Sequence, residues 1–109
     1  MNHAGKNYTI SLEERLDAEN VNEFKKLSKQ ILDDPEASGI VINFFKTKFI
    51  DSIGLGALVS FLKATVQLNV KIALCQLSPQ VRQIFELTRL YRLFDIFESV
   101  EQAEDFINQ

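Results

Sequence analysis

Cysteine, histidine and tryptophan are almost absent from this sequence. Its 109 residues include one cysteine, Cys75, one histidine, His3, and no tryptophan. A single cysteine cannot form an intrachain disulfide, and one cysteine with one histidine cannot supply the ligands of a zinc site. The composition therefore excludes a disulfide-stabilised secreted domain and a zinc module, and it favours a protein of a reducing compartment.

The sequence also lacks a long apolar run and an excess of positive charge. No segment approaches the roughly 20 apolar residues that span a bilayer, and the N-terminal MNHAGKNYTIS has no apolar signal core. The formal charge is −3 and the basic residues are scattered, whereas nucleic-acid binding usually needs a concentrated positive surface. We therefore expect a cytoplasmic protein that contacts neither membranes nor nucleic acid directly.

Strand and helix patterns alternate along the chain. The segments YTISL (8–12), GIVINFF (39–45), VKIALCQL (70–77) and LFDIF (93–97) are typical of strands, and the two central ones are apolar on both faces. Segments with helical periodicity follow each of them. The order βαβαβαβα predicts one α/β domain over 1–109, with a flexible tail at 1–6. We expect a small, mostly parallel or mixed sheet of about four strands with about four helices.

The helix predicted after residue 52 is apolar on most of its surface. We expect its buried stripe to consist of Leu55, Leu58, Val59, Leu62 and Val66. Phe61 lies off this stripe and is interpreted as exposed. A second stripe of small residues favours close packing against a neighbouring helix of the same chain, with a partner's helix as the alternative. It consists of Gly56, Ser60 and Ala64.

The segment KFIDSIGLGALVSFLK, residues 48–63, joins a strand-like run to this helix through a short polar turn. Four roles are open to the hydroxyl of Ser52 at the helix entrance: helix cap, nucleophile, part of a phosphate cradle, or acceptor of a phosphate. Capping by Asp51 or Ser52 is the simplest, because both residue types are common at helix starts. Gly54 and Gly56 would then let the helix lie close to the sheet.

Two of these four roles lack supporting residues elsewhere in the sequence. A nucleophile elbow needs Gly-x-Ser-x-Gly, but Ile50 occupies the first glycine position, and His3 is the only histidine available as a base. A dinucleotide cradle needs G-x-G-x-x-G, but Val59 occupies the third glycine position, and no G-x-x-x-x-G-K-[ST] loop is present. We therefore expect no catalysis, no cofactor and no small-molecule substrate. Capping and phosphate acceptance remain open.

A phosphate on Ser52 would have opposite effects inside the domain and at an interface. At a helix entrance it lies near free backbone N–H groups and the positive end of the helix dipole, so its charge of about −2 is tolerated locally. Against an acidic or apolar partner surface the same charge costs several kcal/mol, and each 1.4 kcal/mol is about tenfold in affinity. One phosphate could therefore prevent docking without unfolding the domain.

Three blocks of the sequence carry a resemblance to a known family. FIDSIGLGALVSFLK contains Asp-Ser and Gly-Leu-Gly before a helix, ERLDAENVNEFKK (14–26) contains Leu-Asp at the start of the first helix, and LCQLSPQVRQIFELTRLYRLFDIFESVEQA (74–103) joins a strand, Ser-Pro and a helix. In this order the blocks resemble the anti-sigma factor antagonists, the STAS domains. The resemblance extends over about residues 8–108.

The resemblance implies a regulatory protein that is not an enzyme. Ser52 matches the serine that is phosphorylated by a kinase which is itself the anti-sigma factor, and a metal-dependent Ser/Thr phosphatase would remove the phosphate. Asp51 matches the acidic neighbour of that serine, and Asp17 matches a loop aspartate on the partner-facing surface near it. The partner-binding residues implied in this way are Asp17, Asp51, Ser52, Ile53, Gly54 and Gly56.

Two features depart from the family pattern. Ile53 stands where Ser, Thr or Ala is usual, and Glu13-Glu14-Arg15 replaces a glycine shortly before the Leu-Asp pair. Both changes concern the identity of the partner more than the fold. STAS domains also serve as constitutive subunits, for example on the ATPase of a lipid transporter or in a stress-sensing scaffold, and this is the alternative function.

Overall fold

A computed structural model describes residues 5–109 of the chain. Its elements, numbered in chain order, are β1 Lys6–Ser11, β2 Arg15–Leu16, α1 Val21–Leu32, β3 Ala37–Asn43, β4 Phe49–Ile50, α2 Ser52–Gln67, β5 Lys71–Cys75, α3 Pro79–Leu87, a 3₁₀ turn Leu90–Arg92, β6 Asp95–Phe97 and α4 Val100–Ile107. One sheet has the order β1-β3-β5-β6 with every neighbouring pair parallel, and β2 pairs in parallel with β4 in a second, smaller sheet. The predicted α/β fold class is confirmed.

Strand β1 begins within the segment that the sequence assigned to a flexible tail. The backbone N–H of Lys6 donates to the carbonyl of Glu36 (2.7 Å), and the Lys6 ammonium lies 3.6 Å from the carboxylate of Asp34. The hydroxyl of Tyr8 also donates to Asp34, and this hydrogen bond is the main cause that holds the pKa of Asp34 below its ordinary value. The tail prediction is therefore wrong at Lys6, because β3 and the loop before it hold that residue. Residues 1–4, with His3, lie outside the described part of the chain.

Strands β3 and β5 are buried on both faces, as their apolar runs predicted. Alternate side chains of a strand point to opposite sides of the sheet. On one side lies the larger core, which joins side chains of α1, α2 and α3 to Ile40, Ile42 and Leu74. On the other side lies a smaller core of Val41, Ala73, Cys75, Ala103 and Ile107. Helix α4 therefore covers the sheet face opposite α1–α3, which is the two-sided cover that parallel sheets require.

The predicted stripe of helix α2 is correct in part: Leu58 is buried and Leu55 and Leu62 pack against the core, whereas Val66 is exposed. The buried residues of the helix are Gly54, Ala57, Leu58, Phe61 and Thr65. Phe61, predicted to be exposed, is 4% exposed and packs edge-on against Phe24 of α1 with ring centroids 5.6 Å apart, whereas Val66 is 66% exposed. Because the helix is apolar on most sides, its own sequence does not select the buried stripe. The aromatic contact with α1 selects it.

The predicted starts of α3 and α4 are confirmed by their caps. The hydroxyl of Ser78 accepts a hydrogen bond from the backbone N–H of Val81 (3.3 Å), and Pro79 follows at the first helical position. The hydroxyl of Ser99 accepts from the N–H of Gln102 (3.1 Å). Such caps depend on residues within one turn, so they could be predicted from the sequence.

Candidate functional site

The small β2–β4 sheet brings the Leu-Asp segment and the Asp-Ser turn side by side. In this parallel pair Leu16 lies opposite Ile50. Asp17 follows β2 directly, and Asp51 follows β4 directly. Since the carboxyl ends of paired parallel strands meet at one edge, the two aspartates stand at the same edge of this sheet. The resemblance implied that Asp17 lies near Ser52, and the β2–β4 pairing places Asp17 beside Asp51, the residue before Ser52.

Asp51 caps helix α2 and ties it to the neighbouring loop. One carboxylate oxygen, Oδ1, accepts a hydrogen bond from the backbone N–H of Gly54 (2.8 Å). The other, Oδ2, accepts from the backbone N–H of Ala18 in the loop between β2 and α1 (3.1 Å). The capping role predicted for Asp51 or Ser52 therefore belongs to Asp51.

Ser52 is the first helical residue and is exposed. Among residues 5–109, no hydrogen bond involves its hydroxyl. The carboxylate of Asp51 accepts a hydrogen bond from the N–H of Gly54, and the carbonyl of Asp51 accepts one from the N–H of Leu55 (2.9 Å). The N–H groups of Ser52 and Ile53 come before those of Gly54 and Leu55 in the first turn of α2. N–H groups at the start of a helix have no acceptor within the helix. The Ser52 hydroxyl can therefore be modified without breaking an internal contact, and donors for an anion lie beside it.

Asp17 is buried, which corrects its expected position on the partner-facing surface. Its side chain is held by the guanidinium of Arg15, with Nε 2.7 Å and Nη2 2.6 Å from Oδ2, and it is 3% exposed as a residue. Its Oδ1 accepts from the backbone N–H of Glu19 (3.0 Å). The Arg15 hydrogen bond is the main cause that lowers the pKa of Asp17 below its ordinary value. Asp17 thus organises the loop before α1 and presents little surface to a partner.

Exposed apolar side chains lie on both sides of Ser52 in the sequence. Ile53 is 50% exposed, Phe49 is 47% exposed, and Phe45 in the loop after β3 is exposed as well. The guanidinium carbon of Arg15 lies 5.8 Å from the centroid of the Phe49 ring. The sequence interpretation did not include Arg15 or Phe49 in the site. Their positions in the sequence could have indicated them, because each lies two residues before an aspartate of the blocks that carry the resemblance.

The six residues expected at the site divide by exposure. Ser52, Ile53 and Gly56 are exposed, Asp51 is half-buried, and Asp17 and Gly54 are buried. A Cβ atom on Gly54 would lie 2.2 Å from the carbonyl oxygen of Leu16, so this glycine permits the close approach of α2 to β2. A Cβ atom on Gly56 would meet nothing within 4 Å, so the expectation that it serves the same approach is wrong. The buried pair supports the site, and the exposed residues form its surface.

No group of three or more histidine, cysteine, aspartate and glutamate side chains among residues 5–109 is placed to hold a metal ion. No helix in the same range is long and apolar enough to cross a membrane. At the α2 entrance the exposed Ser52 stands beside the exposed side chain of Ile53.

Comparisons with known proteins agree with this architecture. The STAS domain family model matches residues 1–103. The anti-sigma factor antagonist SpoIIAA in its unphosphorylated form has a TM-score of 0.79 at 24% identity, with 98% of this chain and 93% of that chain covered. The phosphorylated form of the Bacillus cell fate determinant SpoIIAA has a TM-score of 0.69 at 22% identity, covering 91% and 88% of the two chains.

Two further structures belong to proteins with different roles. An anti-sigma factor antagonist from Mycobacterium paratuberculosis has a TM-score of 0.81 at 17% identity, covering 100% of this chain and 91% of that chain. A sulfate transporter family protein from Wolinella succinogenes has a TM-score of 0.78 at 12% identity, covering 94% and 84%. At these identities the structures show a shared fold, and the family match extends over most of the sequence. The chain therefore belongs to the STAS domain family.

Proposed function

We propose that the protein is an anti-sigma factor antagonist of a partner-switching pathway in the cytoplasm. Unphosphorylated, it binds a serine kinase that is also an anti-sigma factor, and the sigma factor is released. Phosphorylation of Ser52 abolishes this binding, and a metal-dependent Ser/Thr phosphatase restores it. The protein acts as substrate and binding partner, without catalysis or a cofactor of its own.

The observation that carries the proposal is that Asp51, and not Ser52, caps helix α2. Asp51 caps α2 with its carboxylate, so the exposed hydroxyl of Ser52 at the next position has no structural duty among residues 5–109. If Ser52 served only as a helix cap, its hydroxyl oxygen would accept a hydrogen bond from a backbone N–H of the first turn. Ser52 is thus accessible to a kinase, as a phosphoacceptor must be.

The surroundings of Ser52 explain how one phosphate would control binding. A phosphate there can accept hydrogen bonds from the N–H groups of Ser52 and Ile53, so the fold tolerates it. A partner that docks on Ser52 covers the exposed side chains of Ile53 and Phe49 as well, and it removes water from the phosphate. An uncompensated buried ion costs several kcal/mol, which is enough to dissociate the complex. The likeness to SpoIIAA, known in both phosphorylation states, supports this proposal.

The experiment is a pull-down from native lysate of the source organism, combined with intact-mass measurement of the recovered protein. We expect both wild type and Ser52→Ala to retain a serine kinase in the pull-down. Phosphate should be found only on wild-type protein that is not bound to the kinase. Ser52→Asp should bind that purified kinase at least about tenfold more weakly. Ser60→Asp is the matched control, since it adds the same charge to an exposed position of α2 about 12 Å along the helix. Equal affinities of Ser52→Asp and Ser52→Ala would contradict the switch.

A second candidate function is a constitutive STAS subunit without a switch. The sulfate transporter family protein with the same fold favours it, as does the bulky Ile53 beside the acceptor serine. Under this function the protein co-purifies with a transporter ATPase or a scaffold, and Ser52 carries no phosphate in the cell. The same pull-down and mass measurement distinguish the two functions.

A further inference from the structure

Strand β1 forms one edge of the main sheet. It pairs in parallel with β3 on its inner side, and no strand among residues 5–109 pairs with its outer side. At six residues it is longer than β6, the three-residue strand at the other edge. An edge strand presents unpaired N–H and C=O groups, which can pair with another chain. The outer side of β1 is therefore the longer open edge of this sheet.

The hydrogen bonds of β1 show which of its backbone groups face outwards. The N–H of Lys6 donates to the carbonyl of Glu36 (2.7 Å), and the N–H of Leu12, directly after the strand, donates to that of Asn43 (3.0 Å). Because the backbone groups of successive residues in a strand point to opposite edges, the even-numbered residues of β1 face β3. The N–H and C=O groups of the odd-numbered residues therefore face outwards. These residues are Asn7, Thr9 and Ser11.

The usual protection of an edge strand is missing here. Natural edges are blunted by proline, by charged side chains, by bulges or by a covering segment. Residues 7–12 include neither proline nor a charged residue, and the register with β3 is regular from Asn7 to Ser11. The three outward-facing residues are exposed, so nothing in the described chain covers them. The edge can therefore accept a further strand.

The outward-facing groups are arranged symmetrically about Thr9. If a second copy lies antiparallel with its Thr9 opposite Thr9, the two residues exchange N–H···O=C hydrogen bonds, and Asn7 of each copy does the same with Ser11 of the other. Every outward-facing backbone group of β1 then has a partner. We propose that the protein forms a homodimer in this way, with one continuous sheet to which each copy contributes four strands.

The same register brings complementary side chains together. On the side of the larger core, Tyr8 of one copy lies opposite Ile10 of the other in a non-hydrogen-bonded pair, where cross-strand side chains are closest. A groove of about 130 Å³ beside the edge is lined by Ile10 and by Leu27, which is 41% exposed. The aromatic ring of the other copy's Tyr8 therefore comes next to an apolar groove, and two-fold symmetry forms this contact twice.

The charged residues at the two ends of the edge also suit a second copy. Lys6 lies at one end, with its side chain 58% exposed, and Glu13 lies exposed just beyond the other end. Antiparallel pairing about Thr9 brings Lys6 of each copy to the end where the other copy has Glu13. A parallel arrangement would instead bring like charges together.

Such a dimer leaves the surface around Ser52 free. Strands β2 and β4 follow β1 and β3 along the chain and pair with each other, so Asp51 and Ser52 stand beyond the carboxyl ends of β1 and β3. Antiparallel β1 strands place these ends at opposite ends of the dimer. The dimer therefore presents two separate Ser52 sites, and its existence does not depend on the proposed function.

The experiment is sedimentation equilibrium of the whole chain from micromolar to millimolar concentration. We expect wild type to approach the mass of two 12.5 kDa chains. Thr9→Lys and Thr9→Glu each place two like charges opposite each other, so each alone should dimerise at least about tenfold more weakly. An equimolar mixture of the two variants should regain association, because lysine then faces glutamate. This rescue requires that residue 9 faces residue 9.

Gln83→Lys and Gln83→Glu are the matched controls, since Gln83 is exposed on α3, which contacts the 3₁₀ turn near β6 at the other edge. Both should dimerise as wild type does. In wild type, amide hydrogen exchange at Asn7, Thr9 and Ser11 should slow as the concentration rises, which tests the pairing without any substitution.

Three results would overturn the proposal: a wild type that stays monomeric at millimolar concentration, a Thr9→Lys variant that dimerises as tightly as wild type, or a mixture that gains no association. A monomer whose Thr9 amide is already protected would do so too, since another segment of the chain would then cover the edge.

Discussion

The Oδ2 atom of Asp51 accepts a hydrogen bond from the backbone N–H of Ala18 at 3.1 Å, across the gap between two loops that are distant in sequence. The same carboxylate caps α2 through Gly54. One side chain therefore fixes the helix entrance and the β2–α1 loop relative to each other. Ser52, the proposed phosphoacceptor, follows Asp51 directly, so these two hydrogen bonds hold its surroundings in place.

Substitution of Asp51 should separate its two hydrogen bonds. Asp51→Ala removes both and should lower the free energy of unfolding by about 1–2 kcal/mol, as the loss of a helix cap does. In Asp51→Asn the side-chain carbonyl oxygen can still accept from the N–H of Gly54. The NH₂ group then faces the N–H of Ala18, and because both are donors this hydrogen bond is lost. We expect urea unfolding to give a smaller loss for Asn, and hydrogen exchange to show a faster Ala18 amide in both variants. An Ala18 amide that stays protected would contradict this role.

Gly54→Ala should destabilise the fold, in contrast to Gly56→Ala. The added Cβ would lie 2.2 Å from the Leu16 oxygen, and this neighbour is backbone that cannot rotate away. The shift of α2 away from β2 should lower the free energy of unfolding by about 1–3 kcal/mol, despite the better helix propensity of alanine. Urea unfolding of the two glycine variants side by side is the measurement. Stabilisation by both substitutions would show that Gly54 is not a close-approach position.

Phe61→Ala should test which face of α2 is buried. Loss of the ring contact with Phe24 should lower the free energy of unfolding by about 3–5 kcal/mol. Val66→Ala on the exposed side should change it by less than about 0.5 kcal/mol. The order of these two effects distinguishes the observed facing from the stripe that the sequence predicted. Equal losses would indicate that both faces are covered.

The stability of the protein should fall in acid, in part through Asp17. Its folded pKa lies below the ordinary value of 3.8, so the ionised form is favoured by folding. This contribution is present above pH 3.8 and is lost as the pH falls through the lower folded pKa. Asp17→Asn should therefore lose less stability than wild type between pH 7 and pH 3, measured by urea midpoints. Asp34, whose pKa is lowered mainly by Tyr8, should retain its own acid dependence in that variant.

Ser52→Asp should uncouple binding from stability. An acidic residue in the first turn of a helix is favoured by the dipole, whereas the neighbouring Asp51 repels it, so we expect the free energy of unfolding to change by less than about 0.5 kcal/mol. Binding to the serine kinase should weaken at least about tenfold. Circular dichroism during urea unfolding and titration calorimetry give the two quantities. A large loss of stability would mean that the binding defect reflects unfolding.

The α/β architecture could be predicted because its signals are local or periodic. The apolar runs of β3 and β5 specify central strands, and the Ser-Pro pair at 78–79 specifies the start of α3 within one turn. The candidate site could also be located from the Asp-Ser turn, since the residues that mark it lie within a few positions of one another. These features need no knowledge of what lies across the fold.

Burial at the site could not be predicted in the same way. Asp17 is an acidic residue in a loop, and only the guanidinium of Arg15 and the backbone N–H groups around it compensate its burial. The assignment of capping to Asp51 alone, and the division between a packed Gly54 and an open Gly56, likewise depend on where β2 lies.

The alternation of the four strands of the main sheet with four helices, the starts of α3 and α4 and the serine at the entrance of α2 follow from the sequence, because hydrophobic period and capping act over a few residues. The short strands β2 and β4 were not predicted. Contacts across the fold decided the exact facing of α2, the burial of Asp17 and the difference between a packed Gly54 and an open Gly56. Those outcomes depend on contacts between segments tens of residues apart, and an apolar helix or a charged loop residue has several acceptable environments until such contacts form.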